Sequence, residues 1–176
     1  MPVTPFHFGP GTALKAVVQS RFSFTIFCYA NIVTDLESGF YLLRGKYPVH
    51  RFLHTYLGAA IVGLFCALTG RPLHQLGIRL WQRVAGSGSA KTNVSWRTAF
   101  LSALMGTFSH VFLDSIMHPD IRPLSPFSMS NPTFHLISVP LLHLLCFVLG
   151  VVGILLYLIL RLRSEKFHLK ENQPLR

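Results

Sequence analysis

Three long apolar segments are the feature that most constrains how this chain folds. They lie at residues 50–70, 98–117 and 134–160. A transmembrane helix needs about 20 predominantly apolar residues, so each segment is long enough to cross a bilayer. Only 12% of the residues are charged, which is well below the roughly 25% of soluble domains. The chain is therefore predicted to be all-α, a polytopic membrane helical bundle formed by one domain over residues 1–176.

The N-terminal part is less regular. Residues 1–12 are rich in Pro and Gly, which predicts a loop or an extended entry. A helix is predicted from about 13 to 33, and Gly39 is a plausible stop. Only its second half is continuously apolar, which is short for a span. Three spans are predicted if this helix lies at the interface, and four if it crosses.

Basic residues predict the orientation of the bundle. The net charge is +10, and the connection 71–97 contains five basic and no acidic residues, including the flexible run GSGSA. By the positive-inside rule this connection and the tail 161–176 are cytoplasmic. Because the basic residues flank apolar segments, we interpret them as topology signals and expect no nucleic acid as a partner. The proline-rich segment around Pro123 is then an irregular, stiff cap outside the membrane, and the last helix begins near Ser138 and ends at Leu160.

A group of polar residues interrupts the second apolar segment. His110, Asp114 and His118 recur every four residues, so a helix presents them on one face. A carboxylate and imidazoles are costly to bury unless they meet a cation, each other or water. The spacing therefore favours a metal site. The alternative is a set of polar side chains that hydrogen-bond between packed helices.

Other candidate ligands collect at the same membrane face under this topology. His50 and His54 stand at i and i+4 near the start of the first span, and Asp35 and Glu37 lie shortly upstream. Asp and neutral His suit Zn, Mn or Fe, of which Zn is expected first. A catalytic metal site keeps one position open for a water whose pKa falls to about 7, so hydrolysis is the simplest reaction.

Roles beyond ligation are predicted for a few side chains. Asp35 is expected to bridge ions or to orient a water, and Glu37 to act as a general base or else to point to solvent. Arg51 and Arg122 are placed to meet an anionic group such as phosphate. Their alternative role is interfacial anchoring.

Four stretches of the sequence resemble the YdjM-like predicted membrane-bound metal-dependent hydrolases of prokaryotic membranes. They are TPFHFGPG, NIVTDLES, PVHRFLHTYLGA and GTFSHVFLDSIMHPDIRPLSPF, within residues 2–130. That family is similar to the all-α zinc-dependent phospholipase C and P1-nuclease group. The resemblance implies a multi-pass protein of the prokaryotic inner membrane. The metal ligands that it implies are His7, Asp35, one or both of His50 and His54, His110, Asp114 and His118.

The sequence thus predicts an outward-facing metal-dependent hydrolase that acts on a phosphoester or lipid-like substrate at the membrane surface. Membrane lipid is an expected partner. Transport or handling of a metal ion is the main alternative, and a structural subunit with a stapling metal is another. A transporter should carry ligands through the whole depth of the bilayer, whereas these residues collect at one end.

Overall fold

The computed structural model describes residues 4–86 and 93–171, and these residues form no strand. This confirms the all-α prediction. The helices are α1 (Thr4–Val18), α2 (Phe24–Leu43), α3 (Tyr56–Ala85), α4 (Trp96–Met117) and α5 (Val139–Glu171). Among the described residues, three segments are long and apolar enough to cross a membrane: Tyr56–Ala85, Trp96–Met117 and Val139–Ser164. Helices suited to a membrane protein are thus confirmed.

Residues 4–12 are helical, so the loop predicted there is wrong; residues 1–3 of that prediction lie outside the described residues. Pro5 stands in the first turn of α1, where a backbone N–H has no intrahelical partner to lose. Pro10 lies inside the helix and removes one backbone hydrogen bond. Close packing on α5 offsets that loss, because Gly9 lies against the backbone of Cys146 and a Cβ at Gly9 would collide with it.

A tight turn at Gln19–Arg21 divides the single helix that was predicted over residues 13–33. Lys15 closes the turn by donating from Nζ to the backbone carbonyls of Gln19 and Phe22, at 2.8 Å each. α1 and α2 therefore form a helical hairpin. α2 continues past Gly39, where a Cβ would meet no atom within 4 Å, so the stop predicted there is also wrong.

α3 begins later and ends later than predicted. His50 and His54 precede it, on a connection and on the short turn Phe52–His54, so they do not share a helix face. The helix starts after Thr55, whose side chain accepts a hydrogen bond from the N–H of Gly58 at 2.9 Å. It runs through Pro72 to Ala85, so most of the basic connection predicted at 71–97 is helical. Most of the GSGSA run lies outside the described residues.

α4 and α5 follow the predictions more closely. α4 starts after Ser95, which caps the N–H of Thr98, and it ends just before His118. The segment between α4 and α5 is irregular, as the prolines indicated. α5 starts at Val139 as predicted, but it continues to Glu171, so the boundary predicted at Leu160 is wrong.

The helices place unlike groups at the two ends of the bundle. At one end Ser23 donates its N–H to Ser102 Oγ at 2.8 Å. At the other end His110 of α4 lies against Asp35 of α2. α2 and α4 are therefore parallel, and α3 runs between the same two ends in the opposite direction. We call the end with His110 the histidine end, and the end with Arg21, Arg71 and Arg97 the basic end.

Candidate metal centre

Five structural elements bring their polar side chains together at the histidine end. α1 contributes His7, α2 contributes Asp35, and α4 contributes His110 and Asp114. The remaining side chains come from the connection before α3 and from the first residue of the connection after α4: His50, His54 and His118. These residues are far apart in the sequence, and the α1–α2 hairpin and the connection before α3 bring them together in space.

One set of four side chains lies close enough together to hold a single metal ion. We call Asp35, His54, His110 and Asp114 the four-residue group. His110 Nε2 lies 3.3 Å from Asp35 Oδ1 and 3.2 Å from Asp114 Oδ2. His54 Nε2 lies 3.7 Å from each of the same oxygens. Ligands at about 2.0–2.2 Å from a tetrahedral ion stand about 3.3–3.6 Å apart, so the group fits an ion of that size.

A second set shares one residue with the first. His50, Asp114 and His118, the three-residue group, place one ligand atom each within 4.8 Å of one another. The rings of His50 and His118 have centroids 4.4 Å apart. Asp114 belongs to both groups and would be a ligand in either of them if a metal ion bound there.

The converging atoms lack hydrogen bonds although they are buried. The atoms without a partner include both oxygens of Asp114 and the Nε2 atoms of His50, His54, His110 and His118. Buried polar atoms are nearly always hydrogen-bonded, so such a concentration requires an explanation. Lone pairs that converge on a common point satisfy a cation better than they satisfy one another. A His/Asp cluster that can hold a metal ion is therefore present.

The opposite nitrogens of three of these histidines face acceptors. His110 Nδ1 lies 3.1 Å from Asn31 Oδ1, and the amide of Asn31 is oriented by donation from Nδ2 to the carbonyl of Phe27. His50 Nδ1 lies 2.9 Å from Asp120 Oδ1. Because these oxygens only accept, Nδ1 of each ring carries the proton. When the ring is neutral, Nε2 is then the unprotonated nitrogen that is directed into the cluster, as metal-binding histidines require.

Glu37 supports the third histidine. Its Oε2 lies 3.5 Å from His54 Nδ1 and accepts the backbone N–H groups of Arg51 and Leu53 at 3.1 and 2.9 Å. These contacts fix the turn that carries His54. Glu37 thus contacts the His54 ring and two backbone N–H groups, and its side chain keeps 13% exposure to solvent.

The pKa values of three histidines outside the spanning helices are shifted in different directions. Burial lowers the pKa of His118 to about 4. Burial, followed by the neighbouring His54, also lowers the pKa of His50. Burial alone would lower the pKa of His54 too, but the carboxylates of Asp35 and Glu37 raise it above its usual value. The two histidines of the three-residue group are therefore neutral near pH 7, which is the form that ligates metal.

The remaining predicted residues lie around the cluster. His7 Nε2 stands 2.9 Å from Asp114 Oδ1, so α1 reaches the site, although His7 belongs to neither group. The guanidinium of Arg51 lies over the ring of Tyr41, with Cζ 3.8 Å from its centroid. Arg122 donates to the backbone carbonyls of its own turn.

Two supporting residues were not found from the sequence. Asp120 accepts hydrogen bonds from the N–H groups of Val49 and His50 and from the His50 ring. Asn31 holds His110. Their signals were present: Asp120 stands two residues after His118, and Asn31 stands one helical turn before Asp35. The turn relation was missed because the first helix was expected to end before Asp35.

The family described as a domain of unknown function, DUF4184, matches residues 1–175, so the chain belongs to this family. No curated protein matches the chain, and no solved structure does. The resemblance to the YdjM-like hydrolases stays a prediction. The function of the chain is therefore inferred from the histidine end itself.

Proposed function

We propose that this DUF4184 protein is a membrane-embedded, metal-dependent hydrolase. It acts on a phosphoester or lipid-like substrate at the outward-facing surface of the membrane in which it lies. The observation that carries the proposal is the set of buried Nε2 and carboxylate atoms that converge without hydrogen-bond partners. The four-residue group and the three-residue group would hold one or two divalent ions, with Asp114 in both. Two or more imidazoles with carboxylates favour Zn, with Mn or Fe as alternatives.

A bound divalent ion would lower the pKa of a water ligand towards about 7 and so supply hydroxide at neutral pH. Asp35 retains 11% exposure of its side chain, whereas His54 and His110 retain none. We therefore place the entry of water and substrate on the Asp35 side, where this carboxylate can orient the attacking water. We assign Glu37 to hold His54 rather than to act as a general base, since its oxygen already meets two backbone N–H groups.

Arg51 is the candidate for substrate attraction. Its side chain is exposed and its backbone N–H is bonded to Glu37. Its guanidinium lies over the ring of Tyr41 on α2, the helix that also carries Asp35, and a guanidinium is suited to an anionic phosphoester. Orientation follows from charge, because a cytoplasmic basic end leaves the histidine end outside.

Transport of a metal ion is the second candidate, and the core next to the site argues against it. The described residues buried between α2, α3 and α4 on the basic side of the cluster offer neither a carboxylate nor an imidazole. Hydroxyl groups lie there at Ser23, Ser102 and Thr107, and the hydrophobic core consists of Ile26, Ala30, Val62, Cys66, Ala67, Ala99 and Ala103. An ion path would need ligands or water along this route. A stapling metal without catalysis needs no such path and is separated from an enzyme only by activity.

The test is to purify the full-length protein in detergent without added metal and to measure metal by mass spectrometry, together with hydrolysis of bis(p-nitrophenyl) phosphate. The expected result is bound metal and activity that a chelator removes and Zn²⁺ restores. His110→Ala and Asp114→Asn should lose both while the protein still inserts. His74→Ala, which removes a histidine at the other end of α3, is the matched control. Bound metal without hydrolysis of any phosphoester offered would favour the staple, and a double variant at 110 and 114 with full metal content would reject the site.

A further inference from the structure

A cavity of about 360 Å³ lies at the basic end, between the α1–α2 turn and the start of α4. It is separate from the metal centre, which occupies the opposite end of the bundle. Two arginines line it, Arg21 from the turn and Arg97 from the first turn of α4. Its polar part therefore carries two guanidinium groups from elements that are far apart in sequence.

No acid whose side chain the structure describes lies near these charges. The four acidic residues that precede residue 165 are Asp35, Glu37, Asp114 and Asp120, and all of them belong to the histidine end. Within the described residues the structure gives neither Arg21 nor Arg97 an ion pair. Both side chains are exposed. The cavity thus offers two guanidinium groups to an anion from outside the protein.

Ser95 and Thr98 also line the cavity near the arginines, whereas its deeper part is apolar. Arg97, Leu101 and Met105 line the cavity at intervals of four residues, so they lie on one face of α4. From the first to the last the helix rises about 12 Å. Val18 and Phe22 form the opposing wall, and Leu101 remains 46% exposed. The cavity is therefore cationic at the end of a candidate span and apolar towards its middle.

We propose that this cavity binds an anionic glycerophospholipid. The lipid phosphate would lie between Arg21 and Arg97, and an acyl chain would lie along Leu101 and Met105. Guanidinium groups bind phosphate through paired N–H donors, and basic pockets between helices at the cytoplasmic side suit anionic headgroups. The apolar wall selects a lipid over free phosphate, which would leave that wall without a partner.

The test uses the full-length protein in detergent and native mass spectrometry with added phosphatidylglycerol or phosphatidylcholine. One phosphatidylglycerol should bind in preference to phosphatidylcholine. The double variant Arg21→Gln/Arg97→Gln should weaken that binding about tenfold or more. The matched control is Arg79→Gln/Arg83→Gln, which removes the same charge from an exposed part of α3 and should change binding less than about twofold.

Unchanged metal content and helicity would show that the double variant is folded. Independently of any variant, a photoactivatable phosphatidylglycerol should crosslink the wild-type chain within residues 97–105. Equal binding of the two lipids, equal loss in both double variants, or crosslinking elsewhere would overturn the proposal. Displacement of phosphatidylglycerol by equimolar inorganic phosphate would reveal a free-anion site and would overturn the lipid assignment.

Discussion

Asp120→Asn should weaken metal binding at the three-residue group and leave the four-residue group intact. Asp120 meets the ring of His50 at 2.9 Å and the backbone N–H groups of Val49 and His50 at 3.1 and 3.2 Å. Its side chain is only 5% exposed, so water cannot replace it readily. An amide at this position keeps one oxygen for the backbone donors but loses the charge. Its NH₂ group would then compete with the oxygen for the position opposite the His50 ring.

The magnitude follows from the single interaction that the amide cannot reproduce. A hydrogen bond to a charged group contributes about 1.5–3 kcal/mol. Since about 1.4 kcal/mol is a factor of ten, loss of this bond predicts a decrease in metal affinity of about 10–100-fold. This matches the usual effect of removing a residue that orients a metal-binding histidine.

Glu37→Gln provides the matched comparison, because Glu37 supports His54 of the four-residue group. Zn²⁺ affinity of each variant would be measured by chelator competition, and the Co²⁺ absorption spectrum would report the two shells separately. Each variant should alter a different component of the spectrum and of the binding curve. The reasoning is refuted if both variants weaken the same component, or if Asp120→Asn binds metal with wild-type affinity.

Three further predictions concern packing, pH and topology. Gly106→Ala should lower the melting temperature, because a Cβ there would stand 2.8 Å from the carbonyl oxygen of Phe27. The expected cost in stability is about 1–3 kcal/mol. The control Gly39→Ala places its Cβ in open space and should be neutral or stabilising. The pKa of His54 is raised above its usual value near 6.5, so as pH falls protons should displace metal first from the group with His54, beginning above about pH 6.5. The group with His118, whose pKa is about 4, should lose metal last; equilibrium dialysis at pH 4–8 would detect the reverse order. A cysteine at position 123 should be labelled from outside the cell and one in the C-terminal tail only after permeabilisation, and labelling of position 123 only from the cytoplasm would contradict the assigned orientation.

The spacing of residues in the sequence predicted which chemical groups meet, but it did not predict how they are held. His110 and Asp114 are one turn apart on α4, and helix geometry alone places their side chains together. His50 and His54 also reach the site, although not through a shared helix face, since they lie before α3. Their proximity results from the turn that Glu37 and Asp120 anchor. Such tertiary contacts leave no periodic signal.

The N-terminal helix was missed because proline and glycine were weighed by intrinsic propensity. Pro10 and Gly9 lower the stability of an isolated helix. In α1 the missing side chain of Gly9 is what lets the helix approach the backbone of α5. Close packing therefore overrides propensity, and the same packing carries His7 to Asp114.

The hydropathy of α2 is too low for a candidate span, and the residues of the site explain why. Ser23 meets Ser102 at the basic end, and Asp35 meets His110 near Asp114 at the histidine end. The intervals 23–35 and 102–114 are equally long, so α2 runs parallel to α4 over about 18 Å, the depth between the two ends. α2 is nevertheless not among the candidate spans, since Asn31, Asp35 and Glu37 make it more polar. These polar residues are the ones that line or support the candidate metal centre, so the side chains that place α2 in the site also lower its hydropathy. The α1–α2 hairpin therefore brings one polar side chain from each of its helices to the histidine end, His7 from α1 and Asp35 from α2.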